Sequence, residues 1–144
     1  GLSGRLALQV EGQPDRSVSG GFELQGSPTQ GSLVLTTPMG TVAAKAEWST
    51  SGTWLLADGQ RVRYDDLDAL AVAALGEPIP IAALFDWLRG QAWSGAPQLA
   101  LGGGAAGFSQ LGWNVDLSRW SEGWIVARRE ARPVVTVRAR LERP

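Results

Sequence analysis

The sequence predicts a mainly β chain: an antiparallel sheet of about eleven strands with a helical pair inserted after the sixth. Three observations carry this. Apolar and polar residues alternate with period two through most of the chain, the mark of half-buried strands. Turn formers punctuate these runs, with 19 glycines and 8 prolines in 144 residues. Two stretches near the middle switch to helical spacing. A sheet this long tends to curl on itself.

Taken in order, Leu6, Leu8 and Val10 alternate with Arg5, Gln9 and Glu11. Phe22 and Leu24 repeat the pattern, then Leu33 and Leu35, then Val42, Ala44, Ala46 and Trp48 against Lys45 and Glu47. Asp58-Gly59 is a two-residue hairpin signal joining Trp54–Ala57 to Gln60–Tyr64. A first helix follows: Asp65 or Asp66 caps it, Leu67, Leu70, Ala71 and Ala74 form its stripe, and Gly76 ends it. Pro80 suits the first position of a second helix, whose stripe is Ile81, Leu84, Phe85 and Leu88 and whose end is Gly90. Trp87 lies off the centre of that stripe, towards a sheet edge. Strands then resume at Gln98–Leu101, Ala106–Gln110, Trp113-Val115-Leu117, Trp124-Val126 and Val135-Val137-Ala139-Leu141. A curled sheet with an amphipathic helix over one side is either a packed core or a lidded cavity, and periodicity does not choose between them.

Composition narrows the chemistry sharply. There is no histidine and no cysteine. A Ser-His-Asp triad, a cysteine nucleophile, a disulfide and a His- or Cys-ligated metal are therefore excluded. The commonest general base near neutral pH is missing as well. Asp65, Asp66 and Asp68 lack the spacing of a calcium loop and read as helix N-terminal acids. Gly102-Gly103-Gly104-Ala105-Ala106-Gly107 matches G-x-G-x-x-G in form, but strands rather than a helix follow it, so it reads as a loop. No feature argues for an enzyme, a metal or a cofactor.

The length suits one domain over residues 1–144, able to bury a core without covalent staples. No run approaches the ~20 apolar residues of a membrane-spanning helix. Tryptophan supplies 7 of the 11 aromatic residues, and its large apolar face suits cavity walls as well as cores. The net charge of −1 hides a split: residues 1–118 hold 6 basic and 11 acidic side chains, whereas 119–144 hold 7 arginines and 3 glutamates. Arginines on an edge strand explain this blandly; docking of an acidic partner explains it functionally. The acidic remainder argues against nucleic acid.

One loop stands out. Thr36-Thr37-Pro38-Met39-Gly40-Thr41 joins two confident strands and puts the chain's one methionine at a tip. Met39 either folds over the sheet end as a plug or projects to meet an apolar partner. The residues alone leave both open.

Three segments together resemble the LolB family, the bacterial outer-membrane lipoprotein receptors. Leu35-Thr36-Thr37-Pro38-Met39-Gly40-Thr41 is similar to the family's strand, Pro-Leu-Gly loop and strand. Leu75-Gly76-Glu77-Pro78-Ile79-Pro80-Ile81, running into Leu84 and Trp87-Leu88-Arg89-Gly90, is the most specific match. Gln110-Leu111-Gly112-Trp113-Asn114-Val115-Asp116, followed by Trp120, resembles the Gly-Trp-x-Val strand, and Gly4-Arg5-Leu6-Ala7 fits the first strand. The resemblance implies an unclosed antiparallel β-barrel with a helical lid over an apolar cavity. It implies a monomeric receptor that takes acylated lipoproteins from the periplasmic carrier LolA and inserts them into the outer membrane, from whose periplasmic face it works. Pro38, Met39 and Gly40 would form the membrane-insertion loop. Leu6, Leu8, Phe22, Leu24, Leu33, Leu35, Trp48, Ile81, Leu84, Phe85 and Leu88 would line the acyl-chain cavity, although for each taken alone ordinary core packing is the better reading. The family's anchor is a lipidated N-terminal cysteine, expected to lie ahead of Gly1. The alternative is a soluble periplasmic lipid or lipoprotein carrier of the same half-barrel architecture.

Overall fold

The computed structural model describes residues 1–142. Eleven strands make one sheet: β1 (Leu2–Val10), β2 (Val18–Gly26), β3 (Gly31–Thr36), β4 (Val42–Ser49), β5 (Gly52–Ala57), β6 (Gln60–Tyr64), β7 (Gln98–Ala100), β8 (Gly107–Gln110), β9 (Trp113–Asp116), β10 (Trp124–Arg129) and β11 (Val135–Leu141). Their spatial order is β6-β5-β4-β3-β2-β1-β11-β10-β9-β8-β7, antiparallel throughout. β6 and β7 are the two margins, and among the described residues they do not pair with each other, so the sheet is unclosed. Chain order joins neighbours by short turns except where β11 returns to pair with β1.

Two helices fill the interval between β6 and β7. Helix α1 (Leu67–Leu75) starts where the Asp66 carboxylate accepts the Ala69 amide at 2.8 Å and stops at Gly76, whose φ of +81° suits glycine. Helix α2 (Ile81–Trp87) follows a linker, with Pro80 one position ahead of the helix rather than in it. Buried positions Ile81, Ala83, Phe85 and Trp87 surround α2 rather than forming one stripe, the signature of an enclosed helix. Its aromatic contacts show what encloses it. Phe85 meets Trp48 of β4 edge-on at 6.2 Å, while Trp87 meets Phe108 of β8 and Trp113 of β9 at 6.2 and 6.5 Å. Strands near opposite margins touch one short helix, so the sheet curls around α2.

The period-two reading holds for most strands and fails on two. Trp124 and Val126 face outward; Ile125 and Ala127 of β10 enter the core. The outward Trp124 lies beneath the guanidiniums of Arg119 and Arg140, each 5.5 Å from its ring, which shelter its apolar face without burying it. Val42, expected in the inward row with Ala44, Ala46 and Trp48, sits where β4 runs out and is 61% exposed. Trp87 is not an edge residue either: it is among the most deeply buried side chains. Gly102–Gly104 forms a short turn that leads into β8 rather than into a helix, in keeping with a loop.

Candidate functional site

The concave face of the sheet and the helices it holds leave a narrow void of about 40 Å³. Leu6, Leu8, Phe22, Leu24, Leu33, Leu35, Val137 and Ala139 close it from the sheet, and Leu75, Ile79, Leu84 and Leu88 from the helical side. Every one of these side chains is apolar. Eight of the eleven residues expected to line a cavity meet here. Trp48, Ile81 and Phe85 do not: Trp48 and Phe85 pack on one another, and Ile81 is buried at the start of α2. Four lining residues, Leu75, Ile79, Val137 and Ala139, were outside that expectation. Val137 and Ala139 were legible as an alternating row, whereas Leu75 ends α1 and Ile79 lies in the linker after it, where no periodicity points.

A wider groove of about 500 Å³ opens beside the void, between α1 and the end of β2–β5 nearest the Met39 loop. Leu6 and Leu35 form part of both walls, so void and groove are neighbours through shared side chains. The groove is open because its sheet positions are small: Gly20 is paired with Leu6, Ala44 with Leu35, and Ala57 lies beyond, with Ala73 and Ala74 on the helix above. One rung deeper the same face carries Phe22, Leu33 and Leu55. Gly20 has no room for a side chain, because a Cβ there would strike the Thr36 carbonyl. No charged residue lines the groove.

Pro38 forms the rim of this groove, and the loop it begins is a small, well-bonded turn. The Gly40 amide donates to the Thr37 carbonyl at 2.9 Å, the Thr37 amide to the Thr41 carbonyl at 2.8 Å, and the Thr41 amide to Thr37 Oγ1 at 3.3 Å. Gly40 adopts φ +87°, closing the turn in the left-handed region. Met39 therefore projects instead of folding back as a plug, and it is 91% exposed. Val42 and Val18 lie exposed nearby in sequence and register, extending the apolar lip.

Two polar clusters that the sequence reading missed fix the helices. Gln110, 2% exposed, spends its whole amide: Oε1 accepts the Trp87 indole N–H at 2.8 Å and the Trp93 amide at 2.9 Å, and Nε2 donates to the carbonyls of Trp93 and Ala96. Glu77, buried in the α1–α2 linker, is held by Arg16 at 3.2 Å and Arg129 at 2.9 Å. Its one sequence-level signal was its place inside the Leu75–Ile81 segment. No described helix is long and apolar enough to cross a membrane.

Sequence comparison places the chain among known proteins. The model of the family described as outer membrane lipoprotein LolB matches residues 1–138. Outer-membrane lipoprotein LolB of Bordetella petrii is 36% identical over 83% of this chain and 63% of its own length. That of Chromobacterium violaceum is 29% identical over 82% of this chain and 63% of its own, and that of Thiobacillus denitrificans 32% identical over 98% and 74%. The chain thus spans a little under two thirds of the length of several relatives it matches. These relatives are outer-membrane lipoproteins of a localisation family, not enzymes. With the unclosed eleven-stranded sheet, the inserted helices and a match over nearly all its residues, the chain belongs to the LolB family.

Proposed function

We propose that this chain is the lipoprotein-binding body of an outer-membrane receptor. It accepts lipoprotein acyl chains from the soluble carrier LolA and releases them into the outer membrane, working as a monomer tethered through a lipidated cysteine of the longer protein. The observation that carries the reading is the wholly apolar void under the helices, separated only by Leu6 and Leu35 from an uncharged groove at the foot of the Met39 loop. Acyl burial contributes about 0.8 kcal/mol per methylene, so affinity needs no polar contact and transfer needs no catalyst. A void of about 40 Å³ is only a few times the roughly 10–15 Å³ that one water needs. It is too small for an acyl chain, so occupancy displaces the helices. The resting molecule is the closed form, with its core collapsed on itself. The groove, at about 500 Å³, falls within the roughly 300–1,000 Å³ of ordinary ligand pockets and is the mouth through which a chain enters.

Met39 is the contact with the bilayer. Its test separates uptake from delivery. Met39→Glu should take up a lipoprotein from LolA as the parent does but fail to pass it to vesicles of outer-membrane phospholipid. Undiminished delivery would reject the role of the loop. Uptake itself is tested with Ala74→Phe, which narrows the groove from the helix side without touching a strand. Slower capture of the lipoprotein is expected, and unchanged capture would place the mouth elsewhere.

A further inference from the structure

We infer that Glu77 is the latch of the helical lid, with Gln110 as its pivot. The linker of residues 76–80 joins α1 to α2, and Glu77 stands between Leu75 and Ile79, both of which close the void. Its two carboxylate oxygens reach opposite ways. Oε2 takes Arg16 from the β1–β2 connection, whose Nη2 also donates to the Gly76 carbonyl at 2.6 Å and whose Nη1 donates to Gln13 at 3.0 Å. Oε1 takes Arg129 from the end of β10, whose Nη2 also holds the Pro133 carbonyl at 2.9 Å. β1, β11 and β10 are consecutive in the sheet, so one side chain ties the lid linker to the strands at its centre.

The two halves of the latch differ. The Arg16 side chain is 38% exposed and that of Arg129 only 16%, packed over the Trp113 ring at 5.7 Å. Arg129 Nε is buried without a hydrogen-bond partner, and Glu77 is the one carboxylate paired with this guanidinium among the described residues. Water and a competing anion reach the Arg16 half first. Opening therefore begins by parting Glu77 from Arg16, while Trp87 stays bonded to Gln110 and the far end of α2 keeps its place. Leu75, Ile79 and Leu84 then swing off the sheet, widening the void beside the groove. Glu77 is a positioning residue: it touches no cargo and sets how readily the lid moves.

The latch is tested without lipid. In hydrogen exchange on Glu77→Gln, amides of residues 76–86 should exchange at least about tenfold faster, whereas amides of β1, β2 and β11 keep their parent rates. Because loss of a buried pair can unsettle the whole fold, Arg16→Gln is the milder second variant. It should show the same local acceleration, and salt should accelerate the lid amides of the parent but not those of this variant. Lid amides at parent rates in both variants, or lid and sheet amides accelerating together, would overturn the latch. The link to cargo rests on the acyl-binding reading and has its own readout: cis-parinaric acid should enter Arg16→Gln several-fold faster than the parent. Faster lid exchange with no probe binding by either protein would keep the latch and reject the acyl-binding reading.

Discussion

Gln110 is the clearest case of a residue whose importance lies in direction rather than type. At the end of Gly107–Gln110 it reads as the polar partner of an alternating strand, yet it points inward and satisfies a buried indole and three backbone groups. Gln110→Leu would strip partners from the Trp87 N–H and the Trp93 and Ala96 carbonyls, each worth about 1–3 kcal/mol when buried unsatisfied. Urea unfolding should show a loss of about 3 kcal/mol or more with an unchanged slope. A surface counterpart is Glu122, whose carboxyl is held below its ordinary value first by the hydrogen bond from Arg119 and then by that charge. A depressed carboxylate stabilises above its unfolded pKa and loses that contribution as pH falls through the folded one. Titration of Glu122 followed by NMR should show the low midpoint, and Arg119→Gln should raise it. Glu77 and Gln110 escaped the sequence reading for one reason. Burial of a polar residue is decided by partners distant in the chain: Arg16 and Arg129 lie 61 and 52 positions from Glu77.

Elements were more legible than residues. The hairpin at Asp58-Gly59, the cap at Asp66, the stop at Gly76 and the order of strands and helices all follow from local chemistry. What alternation does not supply is the side a short run presents when both sides carry apolar residues. In β10, Trp124 and Val126 compete with Ile125 and Ala127, and the inner pair wins because Arg119 and Arg140 cover Trp124 outside. Helix α2 posed the same problem. Its stripe described one face, but the curled sheet buries it all round, so Phe85 and Trp87 anchor opposite walls. Phe85→Ala should cost about 3–5 kcal/mol in thermal or urea unfolding. Val126→Ala, on the outer side of β10, should stay within about 1 kcal/mol. A core-sized loss at Val126 would mean that the two sides of β10 are assigned wrongly.

For the molecule as a whole, the sheet leaves two margins that must not recruit other chains. β7 is only three residues long, and β6 carries Arg61 and Arg63, whose guanidiniums lie 4.3 and 5.6 Å from the Trp54 ring of β5. Short strands and edge charges are how natural sheets avoid edge-to-edge association. Replacing Arg61 and Arg63 together with valine should produce concentration-dependent association in sedimentation velocity; a variant as monodisperse as the parent would assign that protection elsewhere. The curled sheet and inserted helices were readable because local signals repeat eleven times. The collapsed state of the interior was not, because the volume left between helices and sheet depends on the sum of many side chains rather than on any spacing.

The gap between β6 and β7 has a mechanical meaning. A closed barrel has a bore fixed by strand number and shear, so a larger guest means a different protein. Here the wall is a cuff with two free margins, curled around a filler, α2, that touches β4 on one side and β8 and β9 on the other. On the proposed acyl-binding reading the cuff's girth follows its contents, near nothing in the collapsed form and wider as chains enter. On that same proposed reading, lipoproteins that differ in acyl length share one host, because the host is tailored to none of them.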